Sequence, residues 1–139
     1  MEILLNDKEV KEVLHNALCN GLGWISGYGL SVKISKEDYA KAKNSLKDED
    51  FNVDSMVGSI NIGICMEDVL MKHLEDGNEL EFYDSEQEEE VGFTFEQAKE
   101  NLKDENVTKH IMDMLNENDD AITADCILQT ALYGEIVFG

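Results

Sequence analysis

The sequence predicts an α+β fold: a small antiparallel or mixed sheet packed with about five to six short helices, in a single globular domain over residues 1–139. Three observations carry that expectation. Apolar residues recur at helical spacing in several short stretches. Other stretches alternate apolar and polar residues, as half-buried strands do. Three times a helical stretch runs into a glycine followed by an extended run, at Gly21, Gly77 and Gly134, although the intervening segments are too unlike to form a repeat. With 42% apolar residues the chain can bury a core, and the absence of proline leaves no proline-rich linker to divide it.

Residues 1–5 are a short apolar run, an opening strand or the lead-in to a helix. Asn6 with Glu9 three residues on is a variant of the capping box, and Asp7 and Glu9 suit the positive end of a helix dipole. Val10, Val13, Leu14, Ala17 and Leu18 give this helix one buried stripe. It is expected to stop at Asn20 and Gly21, with Gly21 left-handed. Leu30, Val32 and Ile34 alternate as a strand, and Ser35 followed by Asp38 caps a second helix with a weak apolar face of Tyr39, Ala42, Lys43 and Leu46.

Residues 47–58 read as a polar surface loop, and Ile60, Ile62 and Ile64 as a strand or an extended lead-in. Met66–Glu75 is a helix with Val69, Leu70, His73 and Leu74 on its apolar side, closed by Asp76 and Gly77. A hairpin follows, with Leu80 and Phe82 in one arm and Val91, Phe93 and Phe95 in the other. Thr94 and Gln97 form a capping box for a short helix through Ala98 and Leu102, and Val107, Ile111, Met114 and Leu115 mark the next helix. The last helix, from about Ala124 to Tyr133, leads into a final strand over residues 135–138.

Charge dominates the composition. The formal net charge is −20, from 31 acidic residues against 11 basic ones, and every base is lysine. Arginine supplies the rigid fork that recognises phosphate in a bidentate way, so its absence disfavours nucleotide or nucleic-acid binding. A field this negative repels polynucleotides and speeds encounter with basic protein surfaces. Solubility alone asks for a charge of magnitude about 2 to 8 in a small domain. The densest stretch is 75–90, where nine carboxylates fall among sixteen residues without a lysine. In the hairpin, Leu80 and Phe82 turn to the core, while Glu79, Glu81 and Tyr83 turn to water.

Candidate chemical motifs fall short. His15 and Cys19 lie one helical turn apart, a spacing used by metal ligands, yet His73, His110, Cys65 and Cys126 bring no second pair at a recognised spacing. Asp48, Asp50, Asn52 and Asp54 begin like an EF-hand loop, but Val53 stands where glycine is required and Ser59 where a bidentate glutamate belongs. Asn116, Asn118 and Asp120 fail in the same way. The glycines at 21, 23, 27 and 29 fit no phosphate loop and follow a helix rather than a strand. Trp24 and Tyr28 among them are an interface anchor or core residues. No nucleophile, base or paired carboxylate stands out, so neither enzyme activity nor a metal or other cofactor is expected. Three widely spaced cysteines suggest thiols in a reducing compartment. The chain has neither a signal-like N-terminus nor a run long enough to span a bilayer, so the cytoplasm is the expected location and a membrane is not expected as a partner.

The stretches NALCNGLGWISGYGL, CMEDVLMKHLEDG and ADCILQTALYGEIVFG resemble those of small acidic uncharacterised proteins of bacteriophages and prophages of Firmicutes and other gut bacteria. The resemblance implies a phage origin and an intracellular protein, and it brings no active-site residues. Together with the charge it leads to the expected partner, a basic, nucleic-acid-binding host protein engaged by DNA mimicry. The expected contact set is Glu79, Glu81, Asp84, Glu86, Glu88, Glu89 and Glu90, with Asp48, Glu49 and Asp50 as a second patch. The competing expectation is a self-assembling module that binds a partner or small ligand through Trp24 and Tyr28.

Overall fold

A computed structural model describes residues 4–49, 65–118 and 120–138. Asp50, most of the EF-hand-like run and the isoleucines at 60, 62 and 64 lie outside the described residues. Among the described residues the chain forms six α-helices and one three-stranded antiparallel sheet, an α+β architecture that is mostly helical.

Helix α1, Asp7–Ile25, starts where local chemistry dictates. The Asn6 side chain accepts from the Glu9 backbone N–H at 2.8 Å and the Glu9 carboxylate accepts from the Asn6 N–H at 3.1 Å, satisfying two orphan donors. It does not stop at Gly21. The helix runs one further turn, and Gly21 is buried within it, against Ala124 and Leu128 of the last helix. The left-handed residue is Gly29, at φ +90°, which closes a 3-10 turn over Ser26–Tyr28 and opens strand β1, Leu30–Lys33.

Helix α2 spans Lys36–Glu49, with the Ser35 hydroxyl accepting from the Asp38 N–H at 3.0 Å. It carries Asp48 and Glu49 in its last turn, where the sequence suggested a loop. Helix α3, Met66–Glu75, ends at Gly77 with φ +92°, as expected of a residue that must turn the chain left-handed. Strands β2, Leu80–Asp84, and β3, Glu89–Phe93, form the hairpin.

Phe95 does not extend the hairpin. It opens helix α4, Phe95–Asn101, because the Thr94 and Gln97 capping box starts the helix one residue earlier. A 3-10 turn, Glu105–Val107, then leads into α5, Thr108–Leu115. The last helix, α6, spans Ala121–Tyr133, begun by Asp120, whose side chain accepts from the Thr123 N–H at 2.8 Å.

Helix α6 is the centre of the molecule. Nine of its residues from Thr123 to Leu132 are buried, and α1, α4 and α5 all pack on it. A helix apolar nearly all round has that fate. The sheet, in order β1-β2-β3, closes one side, with Leu30, Leu80, Phe82 and Phe93 pointing into the same hydrophobic cluster as Leu14, Leu18, Leu70, Leu74, Ile111 and Ile127. Phe82 and Phe93 stack across the hairpin with ring centroids 6.3 Å apart.

The expected final strand is absent. Gly134 turns left-handed at φ +78°, and the residues after it run without regular structure. Their alternation reflects another anchor: the Val137 and Phe138 N–H groups both donate to the Gln129 side-chain oxygen, at 2.8 and 2.7 Å, in place of a neighbouring strand.

Candidate functional site

The hairpin is built by period-2 alternation around an Asx turn. Asp84 Oδ1 accepts from the backbone N–H groups of Glu86, at 3.0 Å, and Gln87, at 3.2 Å, which folds residues 85–88 back on themselves. The turn then passes through Glu88 at φ +55°, a left-handed conformation that glycine or asparagine adopts at least cost.

The register sorts the carboxylates. Ser31, Tyr83 and Glu90 are neighbours across the three strands, as are Lys33, Glu81 and Gly92; these residues make the outer face. A Cβ on Gly92 would stand 2.8 Å from the Glu79 carboxylate, so glycine there lets Glu79 lie across the outer face. Tyr83, which is 38% exposed, lies on this face between Ser31 and Glu90 and two residues on from Glu81. Lys33 pairs with Glu90 and is the single lysine of the three strands; the contact pushes the Lys33 amine above its ordinary pKa. Glu86 and Glu88 are exposed at the tip, and Glu89 is exposed beside them.

Asp84 does not belong to the contact set. It is 1% exposed, because it shares its parity with Leu80 and Phe82 and points inward opposite Leu30 and Glu89. Its second oxygen is buried without a hydrogen-bond partner among the described residues, as is the hydroxyl of Tyr133. Burial first, then the charges of Asp84 and Glu89, push the Tyr133 phenol up.

At the open end of the sheet a cleft of about 430 Å³ adjoins this face, lined by Lys33, Ile34, Ser35, Asp38, Asn78, Glu79 and Glu81, with His73 at its base. His73 Nε2 lies 3.1 Å from the Glu79 carbonyl oxygen. The surface thus combines carboxylates that can make charge-assisted bonds to lysine or arginine with an aromatic face that can stack on a guanidinium. Tyr83 and Asp38 were missing from the expected contact set. The outward alternation of Tyr83 was a usable signal, whereas the approach of Asp38 depends on the tertiary fold.

The remaining candidates are scattered. Asp48 and Glu49 sit on α2, and the side-chain positions of Asp48, Glu49 and Asp50 lie outside what the structure describes. Trp24 is 48% exposed, and its indole N–H donates to the Tyr28 hydroxyl at 3.2 Å. Tyr28 is committed internally: its hydroxyl donates to Asp125 Oδ2 at 2.9 Å and its ring stacks on Phe138 at 4.5 Å. Burial and then the Asp125 carboxylate raise the Tyr28 phenol. His15 meets Asp68, at 2.7 Å, rather than a metal-ligand set; among the described residues no three His, Cys, Asp or Glu side chains are gathered to hold a metal ion.

No helix among the described residues is long and apolar enough to cross a membrane. No protein-family model, curated protein or solved structure matches the chain.

Proposed function

We propose that the chain is a phage-encoded, non-enzymatic acidic binding protein of the host cytoplasm. In this reading it docks its hairpin into the cationic groove of a nucleic-acid-handling host protein and inhibits a defence system, of the anti-CRISPR or anti-restriction type, by mimicking DNA. One observation carries the reading: Glu79, Glu86, Glu88, Glu89 and Glu90 are exposed on or beside a single hairpin, with Glu81 and Tyr83 on its outer face and one lysine, Lys33 of β1, on the three strands of the sheet. Carboxylates spaced along a hairpin draw the same lysine and arginine grooves that bind phosphate, with the same sensitivity to salt. Glu88 at φ +55°, a conformation that Glu117 shares outside the hairpin, costs roughly 1 kcal/mol that glycine would avoid.

The test is capture of host proteins on the immobilised chain at about 50 and about 200 mM salt, with duplex DNA as competitor. Glu81→Lys, Glu86→Lys, Glu88→Lys and Glu90→Lys together are expected to weaken binding of the captured protein at least ~10-fold, and DNA should displace it. Affinity unchanged by the four reversals overturns the proposal. Separately, Glu88→Gly is expected to raise stability by about 1 kcal/mol while weakening binding, a trade-off that a purely solubilising role would not produce.

A second reading, a self-assembling accessory protein that binds a partner or small ligand through the glycine-aromatic segment, is favoured by Trp24. This indole is half exposed beside Gly23 and Gly27, where an added Cβ would meet nothing within 4 Å. Tyr28 contributes to the fold instead. Sedimentation as a compact monomer at both low and high salt would remove this reading.

A further inference from the structure

Three carboxylates from separate places in the chain line the cleft of about 430 Å³ at the open end of the sheet: Asp38 from the first turn of α2, and Glu79 and Glu81 from either side of Leu80. None of the three makes an ion pair or a side-chain hydrogen bond among the described residues. Lys33 also lines the cleft, but its amine is engaged by Glu90. Gly92 brings the two glutamates together. It is the register partner of Glu81, and the Glu79 carboxylate stands 2.8 Å from the place a Cβ would take there. His73 is an independent second feature. It lines the same cleft and is 8% exposed. Its Nε2 lies 3.1 Å from the Glu79 carbonyl oxygen, which can only accept, so Nε2 is the donor. In the neutral ring Nδ1 is then an acceptor. That nitrogen makes no hydrogen bond among the described residues, and it is not sealed from solvent. The Asn78 side chain donates to the His73 carbonyl oxygen at 3.2 Å, which leaves its own oxygen as a further acceptor. The cleft is therefore rich in acceptors that no donor among the described residues satisfies.

We propose that this cleft is a binding site for an alkylguanidinium, the head group of an arginine side chain or of a small free compound that carries it. A single metal ion is the wrong size for these walls, because no three His, Cys, Asp or Glu side chains among the described residues are gathered to hold one. Carboxylates spread more widely than a metal needs suit a larger, planar cation. An ammonium offers three donors at one point. A guanidinium spreads five over a rigid fork, so it can take both oxygens of one carboxylate and still face a second acceptor. It is also more weakly hydrated, which lowers the cost of leaving water for a cleft. Ile34 supplies apolar surface for the alkyl stem, and the volume lies within the roughly 300–1,000 Å³ of small-molecule sites. The field of a chain with net charge −20 draws a cation towards the opening. Asp38, His73 and Asn78 lie off the hairpin, so the site stands apart from the docking of the hairpin tip.

The experiment is an NMR titration of the full chain with butylguanidinium and, separately, with butylammonium, which differ in the head group alone. Saturable shifts are expected at His73, Asn78 and Glu81, with butylguanidinium binding at least ~10-fold more tightly than butylammonium. Asp38→Asn and Glu81→Gln should each weaken butylguanidinium at least ~5-fold. Neither carboxylate has an internal bond to lose, and unchanged amide shifts away from the cleft would show that both variants fold. Glu86→Gln with Glu88→Gln, at the hairpin tip and outside the cleft, should change the affinity less than about twofold. Equal affinity for the two cations, tip variants that weaken binding as much as the cleft variants, or shifts spread over exposed carboxylates at large would each overturn the proposal. Competition then assigns the source. Release of a captured host protein by excess butylguanidinium identifies the occupant as an arginine of that partner, and capture that persists identifies it as a free compound. The titration needs no host protein, so its failure leaves the docking of the hairpin standing, and the failure of docking leaves the cleft standing.

Discussion

Gln129→Ala is expected to lower the free energy of unfolding by about 3 kcal/mol, because one buried amide holds three parts of the molecule together. Gln129 has no exposed surface. Its Oε1 accepts from Val137 and Phe138, while its Nε2 donates to Asp125 Oδ1 at 2.9 Å and, at 3.4 Å, to the Phe138 carbonyl oxygen. Asp125 is itself 4% exposed, and its other oxygen is held by Tyr28, whose ring rests on Phe138. Alanine would release the tail and leave a buried carboxylate with one donor fewer. The second effect is the more costly, since the tail amides can turn to water and Asp125 cannot. Denaturant titration measures the total, and amide exchange at Val137 and Phe138 isolates the tail. Gln129→Glu keeps the acceptor, so the tail stays protected, but it sets a second carboxylate against buried Asp125, so at neutral pH it should cost at least as much as alanine. Equal stability of Gln129→Ala and the unsubstituted chain would show that the network contributes little.

The parts of this fold that were legible in the sequence are those decided within a few residues. Asn6, Ser35 and Thr94 cap helices because their side chains reach an N–H three residues on, whatever surrounds them. Gly77 and Gly134 turn left-handed after their helices for a similarly local reason. Gly21 looks the same in the sequence and does something else, because a glycine that bends a chain and one that admits a neighbouring helix leave the same letter. The closing alternation of residues 135–138 has a strand's period but not a strand's partner, since Gln129 takes its hydrogen bonds. Asp84 was misplaced for a different reason. Its parity with Leu80 and Phe82 pointed inward, and counting charge along the hairpin overrode that signal. The approach of Asp38 to Glu79 and Glu81 around one cleft needs the packed molecule and was not legible at all.

Two glycines two residues apart on α1 are expected to respond in opposite directions. At Gly21 an added Cβ would lie 2.8 Å from Leu128 Cδ1 and 3.2 Å from both the carbonyl carbon and the Cβ of Ala124. The leucine methyl can move; the Ala124 backbone, inside the buried central helix, can do so only by pushing α6 away from α1. Gly21→Val forces that separation across the most extensive helix contact among the described residues and should cost about 3 kcal/mol, the upper part of the range for overpacking. At Gly23 an added Cβ meets nothing within 4 Å and the backbone is helical, so Gly23→Ala should gain roughly 0.5–1 kcal/mol by restricting the unfolded chain. Denaturation midpoints of the two variants decide the matter. A neutral Gly21→Val would mean that α1 and α6 can slide apart without loss. A destabilising Gly23→Ala would mean that the last turn of α1 is not helical in solution, and then the chain would leave the helix near Gly21 after all.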